Sequence, residues 1–222
     1  MRIIEEKIYK FDELSKEVQE KLIEKEQENV RNDYAEFCLY DDMVEESKEL
    51  LKKYFGSGAE LTRVLYDLSY CQGSGAMIEF DINIVDLNKK YKVFNDEEIR
   101  FLTDKVIVND IKVRHNNSRY CHEYSFGIDY GYYNCWNFED IKDDYKITED
   151  GFNTLWDRFD KLTDDSNKHY TDSEFIKDII KMNEELARFG YNTIEDYEED
   201  TDFVIENLSE NEYYEDGSVY YG

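Results

Sequence analysis

The sequence predicts an α+β fold, with N-terminal helices and a C-terminal helical region packed on a central antiparallel sheet of about four strands. Three observations lead there. Apolar residues recur at helical spacing up to Phe55 and again from Phe152 onward. Between those regions the apolar period drops to two. The chain is also 41% hydrophobic and 16% aromatic, with 20 Tyr and 13 Phe, so it can bury a core although 36% of it is charged. Acidic disordered segments are poor in aromatics, which argues against disorder.

The elements follow in order. Ile8-Tyr9-Lys10-Phe11 reads as a short extended segment. Asp12 or Ser15 can cap the next helix, because their side-chain oxygens accept from the free N–H groups of a first turn. Val18, Leu22, Ile23 and Val30 form its apolar stripe. A second helix is predicted from about Asp33 to Tyr54, with Tyr34, Phe37, Cys38, Val44, Leu51 and Phe55 on one side and Gly56 to Gly58 ending it.

Val64, Tyr66, Leu68 and Tyr70 then alternate with Leu65, Asp67 and Ser69. After Gly73-Ser74-Gly75, Ile78, Phe80, Ile82 and Ile84 alternate with Met77, Glu79, Asp81 and Asn83. This predicts a β-hairpin with one buried and one polar face. Its glycines supply the positive φ that a tight turn needs, and they match neither a P-loop nor a dinucleotide fingerprint. Asn95 to Lys105 reads as a short helix, and strands resume at Ile111–His115 and along Tyr120 to Tyr130. Phe152, Leu155, Trp156 and Phe159 predict a short helix. A stronger one follows, capped by Thr171 or Ser173, carrying Phe175, Ile176, Ile179, Met182, Leu186 and Phe189, and ending at Gly190. Thr193 to Leu208 is a further helix, and Asp216-Gly217 between β-formers predicts a terminal hairpin.

The charge is one-signed. Against 54 Asp and Glu stand 27 Lys and Arg, a formal charge of -27. After Arg188 there is no further Lys or Arg, yet eleven acidic residues lie between Glu195 and Asp216. A loop-rich bridge opening at Glu139 and running through Asp143 and Asp144 suggests a division into residues 1–138, the helix pair with the sheet, and residues 139–222, acidic and mainly helical with the terminal hairpin. The same chain can equally form one continuous domain. The later segment holds 26 acidic and 8 basic residues, about -18, and the earlier one 28 and 19, about -9.

Chemical motifs are sparse. Cys38, Cys71, Cys121 and Cys135 show no CxxC spacing. A zinc site drawn from Cys71, Cys121, Cys135, His115 and His122 lacks the usual ligand pattern. Cys121-His122 would point to opposite faces of a strand and could not share a proton. Asp165-Ser166-Asn167 begins like an EF-hand loop, but Tyr170 replaces the required glycine and Ile176 the bidentate Glu. The expectation is therefore no cofactor, no metal and no catalytic residue. Met1-Arg2-Ile3-Ile4 runs into Glu5-Glu6 without an apolar leader, and no stretch reaches the roughly 18 apolar residues of a membrane span. Free thiols in a reducing cytoplasm fit this best.

The runs Tyr9-Lys10-Phe11-Asp12-Glu13-Leu14-Ser15, Leu68-Ser69-Tyr70-Cys71-Gln72-Gly73-Ser74-Gly75-Ala76 and Glu215-Asp216-Gly217 resemble a family of uncharacterised acidic bacteriophage proteins. That family more often has Asp between the two glycines, where this chain has Ser74. The likeness spans the chain in outline through short motifs. It implies a phage or prophage origin and an anti-defence role, and it carries over no catalytic residue.

The charge indicates the same class of partner, a strongly positive surface, and such surfaces in cells mostly hold nucleic acid. The expected function is binding to, and blocking of, a nucleic-acid-binding host defence protein, a CRISPR effector or a restriction enzyme, by mimicry of nucleic acid. The candidate contact residues are Glu195, Asp196, Glu198, Glu199, Asp200 and Asp202, with Asp143 and Asp144, and Glu79 and Asp81 as a second row on the hairpin's polar face. Carboxylates on one helix face lie about 5–6 Å apart, comparable with successive phosphates. The alternatives are an antitoxin-like or scaffold protein for a basic partner, and a metal-dependent hydrolase. Neither direct nucleic-acid binding nor membrane attachment is expected, and the sequence leaves the oligomeric state open.

Overall fold

A computed structural model of the chain describes residues 7–37, 39–69, 71–104, 110–129, 148–166 and 168–221. The fold is α+β, with seven α-helices, a four-stranded antiparallel sheet and a small two-stranded sheet among the described residues. The chain divides into two compact units, which differ from the expected break at 138/139. Residues Met43–Phe189 form a sheet unit, and Met1–Asp42 with Gly190–Gly222 form a terminal unit built from both ends of the chain.

The terminal unit begins with β1 (Tyr9–Lys10), a single 3-10 turn at Phe11–Glu13, and helix α1 (Lys16–Phe37). Of the two possible caps Ser15 is used, its Oγ accepting from Val18 N–H at 3.4 Å. Gln19 Nε2 donates to the carbonyls of Phe11 and Leu14, which fixes the turn onto the helix. From the other end of the chain come α7 (Thr201–Ser209) and β6 (Glu212–Tyr213). Strands β1 and β6 pair antiparallel, Tyr9 opposite Tyr213 and Lys10 opposite Glu212. Phe11, Leu14, Val30, Val204, Leu208 and Tyr213 make a core of their own. Two of the motifs read above thus meet in space: Phe11 and Leu14 lie in the core beside Tyr213, and Gly217 (φ 87°) sits so close to Val18 that a Cβ would come within 2.8 Å of it.

The sheet unit contains the strand order β2-β3-β4-β5: β2 (Ala59–Asp67), β3 (Gly75–Asn83), β4 (Asp110–His115) and β5 (Phe126–Asp129). Helix α2 (Leu39–Phe55) precedes the sheet, α3 (Ile84–Tyr91) and α4 (Asp96–Asp104) lie between β3 and β4, and α5 (Glu149–Thr163) and α6 (Glu174–Glu199) follow. The chain crosses between the units within α2 and within α6. An aromatic series holds the centre. Phe80 of β3 stacks on Phe55 of α2 at 5.0 Å, and Phe55 meets Phe175 of α6 edge-on at 5.8 Å.

Several elements depart from the sequence reading. Ile84 opens α3 instead of extending β3, because Asn83 caps that helix by accepting from Val85 N–H at 2.9 Å. Strand β5 is shorter than the predicted run, with Tyr120 to Tyr124 in the loop before it. Gly190 does not end α6. It is buried in the apolar stripe between Leu186 and Ile194, at the i±4 positions on either side, and the helix continues to Glu199. The segment containing Asp143 and Asp144 lies outside the described residues.

Candidate acidic interface

The division by contacts sharpens the charge asymmetry. The terminal unit holds 24 acidic and 7 basic residues, a net -17 on 75 residues, while the sheet unit holds 30 and 20, a net -10 on 147. A third of the sequence therefore carries most of the charge.

Within that unit the acidic run falls at the junction of α6 and α7. Glu195, Asp196 and Glu199 are exposed on the end of α6, and none of their side chains forms an ion pair among the described residues. The last turn of α6 has no Lys or Arg. A helix C-terminus concentrates negative partial charge, so carboxylates there destabilise the helix that carries them. A local rule is broken here without an evident gain in stability. Tyr197, 36% exposed, stands among these carboxylates with its ring against Phe203 at 5.7 Å.

The remaining candidates of the run divide by role. Asp200 is the N-cap of α7, accepting from Asp202 N–H and Phe203 N–H at 3.1 Å each. Asp202 lies exposed in the first turn of α7, where the helix dipole favours a negative charge. Glu198 is half-buried, its carboxylate 3.4 Å from Arg31 Nε and its carbonyl accepting from Gln27 Nε2. Glu198 is thus a tie between α6 and α1. We expect Asp200→Ala to destabilise the terminal unit by about 1 kcal/mol, and Asp200→Asn to restore the cap while removing the charge. Thermal unfolding of the two variants separates capping from charge.

The second row does not exist as expected. Glu79 is 8% exposed, and its Oε1 accepts from His115 N–H at 2.9 Å. Strand β3 is covered on both faces from Gly75 to Phe80, so alternation along it does not mark a solvent face. Asp81 forms an ion pair with Arg114, whose guanidinium also bonds the carbonyls of Phe80 and Val113. Both carboxylates hold the sheet together.

The sheet unit has an open cleft of about 560 Å³ between α5 and the start of α6, lined by Tyr91, Arg158, Lys161, Leu162, Tyr170 and Ser173 among others. Two of its polar groups are engaged in the fold. Arg158 is bonded to Glu98 and the Val93 carbonyl, and Ser173 Oγ donates to the Leu162 carbonyl. Asp165 of the EF-hand-like run accepts from Ile128 N–H at 3.2 Å and pairs with Lys168 at 3.4 Å.

Among the described residues neither Cys71 nor Cys121 is hydrogen-bonded to a histidine. Cys71 is exposed, and hydrogen bonds to the Ser69 and Ser74 hydroxyls hold its thiol below the usual range. Cys121 is pushed up to about 12, first by burial and then by the Asp67 charge. Cys121 and His122 lie in a loop rather than on a strand, and His122 Nδ1 is occupied by the Tyr124 N–H at 3.1 Å. Among the described residues no group of three or more His, Cys, Asp or Glu is placed to hold a metal ion. No helix among them is long and apolar enough to cross a membrane.

The paired glycines of the hairpin turn are explained by close packing. Gly73 has φ 95°, and a Cβ there would meet the Tyr120 ring at 2.3 Å; at Gly75 it would stand 3.0 Å from His122 Cα. No protein-family model, curated protein or solved structure matches the chain.

Proposed function

We propose that the chain is a phage-encoded inhibitor acting in the host bacterial cytoplasm, which binds and blocks a nucleic-acid-binding defence protein such as a CRISPR effector or a restriction enzyme. The observation that supports this reading most is the exposed, unpaired acidic set at the end of α6, on a unit of net charge -17. Such a surface attracts a basic groove at long range and competes with the polyanion that the groove holds. The exposed tyrosines of the same unit, Tyr40, Tyr197 and Tyr221, supply the amphipathic contacts that anchor interfaces. On this reading the protein performs no chemistry, and its carboxylates stand where phosphates would.

The test is competition. The protein is used to capture its partner from infected host cells, and the complex is challenged with DNA and RNA at several salt concentrations. A nucleic-acid mimic is displaced by one of these polyanions, and its affinity falls steeply as salt rises. Displacement by neither, with retained salt sensitivity, points instead to an antitoxin-like or scaffold role toward a basic partner. Salt-insensitive binding removes the electrostatic reading altogether.

A further inference from the structure

We propose that His122 makes residues 116–125, the connection between β4 and β5, an acid-sensitive latch that is closed while its imidazole is neutral and opens on proton uptake. All three histidines of the chain, His115, His122 and His169, gather at this end of the sheet. They are not equivalent. His122 Nδ1 accepts the Tyr124 N–H at 3.1 Å, and an imidazolium carries hydrogen on both nitrogens and accepts nothing. Protonation therefore sets a donor against a donor.

The other two contacts tolerate the charged ring. His115 Nε2 lies 3.0 Å from the Tyr120 carbonyl, which only accepts, so that nitrogen carries hydrogen in either charge state. His169 lies against the Tyr124 ring at a centroid distance of 4.2 Å, a contact that an imidazolium keeps as a cation–π interaction. Among the described residues, only His122 of the three has a bond that protonation must break.

What the latch holds is defined by its neighbours. Ser125 N–H donates to the His122 carbonyl at 2.9 Å, and His122 N–H donates to Ser125 Oγ at 3.2 Å. The carbonyl of Glu123 accepts from Asn183 Nδ2 at 3.2 Å, and Asn183, fully buried on α6, accepts the Ile78 N–H of β3 at 3.0 Å. Opening the turn thus withdraws a partner from a buried amide that also ties β3 to α6.

The surrounding charges come from every adjoining element. The turn contributes Glu123, with Arg119 before it over the Tyr120 ring. Helix α6 contributes Glu184, which acts on Tyr124, β2 contributes Asp67 and Arg63, which act on Cys121, and the segment after α5 contributes the Lys168–Asp165 pair. The His122 bond exists only with a neutral ring, so its contribution is complete at high pH and is lost as pH falls. A free imidazole titrates near pH 6.5, so about pH 7.5 and about pH 5.5 are the two conditions to compare.

The test is amide hydrogen exchange on the full chain at both pH values, with rates converted to protection factors so that the intrinsic pH effect drops out. In the wild type, protection at Tyr124 and Ser125 is expected to fall about tenfold on acidification, while β3 falls less. His122→Asn supplies an Oδ1 that accepts at every pH and should hold protection at both. His122→Ala should be low at both. Wild-type protection that does not change with pH overturns the proposal, and so does a pH dependence that survives in His122→Asn. The wild-type comparison remains decisive even if a variant fails to fold.

Discussion

Combining Glu195→Gln, Asp196→Asn and Glu199→Gln is expected to slow association with a basic partner about tenfold or more at low salt while stabilising the terminal unit by about 1 kcal/mol. The two effects have one origin. The three carboxylates are exposed, without ion pairs among the described residues, and placed at the negative end of α6, so each opposes its own helix and contributes to the external field. Stopped-flow association across a salt series, with thermal unfolding of the same variants, reads both. Faster unfolding or an unchanged association rate would reduce the acidity to a matter of solubility. Glu198 and Asp200 are left out of this set, because one ties α6 to α1 and the other caps α7. Neutralising all the acidic residues of the run together would mix structural loss with electrostatic loss.

Phe80→Ala is expected to destabilise the sheet unit by about 3–5 kcal/mol. Phe80 is fully buried at the middle of β3 and stacks on Phe55 at 5.0 Å, which in turn meets Phe175 edge-on. Truncation leaves a cavity bounded by α2, α6 and the sheet, whose backbones cannot collapse into it freely. Against a total stability of about 5–15 kcal/mol for an ordinary domain, this brings the unit near its threshold. Chemical denaturation should show the loss as a lower midpoint with an unchanged slope. Phe80→Leu should lose much less, about 1.5 kcal/mol, and a loss below that in Phe80→Ala would place the core elsewhere.

The α+β class and the central hairpin were legible because apolar alternation along β2 and β3 is strong and the helices carry clear stripes. Three features were not legible, each for a physical reason. Alternation cannot reveal whether a polar face is covered, so Glu79 read as exposed although it bonds the backbone of β4. A glycine reads as a helix stop unless its burial is known, and Gly190 is a small residue in an apolar stripe rather than a cap. The pairing of β1 with β6 joins segments some two hundred residues apart, and no local pattern encodes it. The acidic run itself was plain in the sequence. Its division into free, capping and ion-paired carboxylates needed the positions of Arg31 and the α7 N-terminus.

The terminal unit has a consequence for the order of events during synthesis. Residues Met43–Phe189 are contiguous, so the sheet unit has all its strands once that stretch has left the ribosome. The terminal unit must wait: α1 has no partner for Val30 until Val204 and Leu208 of α7 emerge, and β1 has none until β6 does. Translation at about 5–20 residues per second makes this a delay of seconds to tens of seconds. The unit with the denser negative charge is thus the later of the two to acquire its shape. A chain cut short before α7 would retain the sheet unit and much of the acidity but not the scaffold that orders the acidic run.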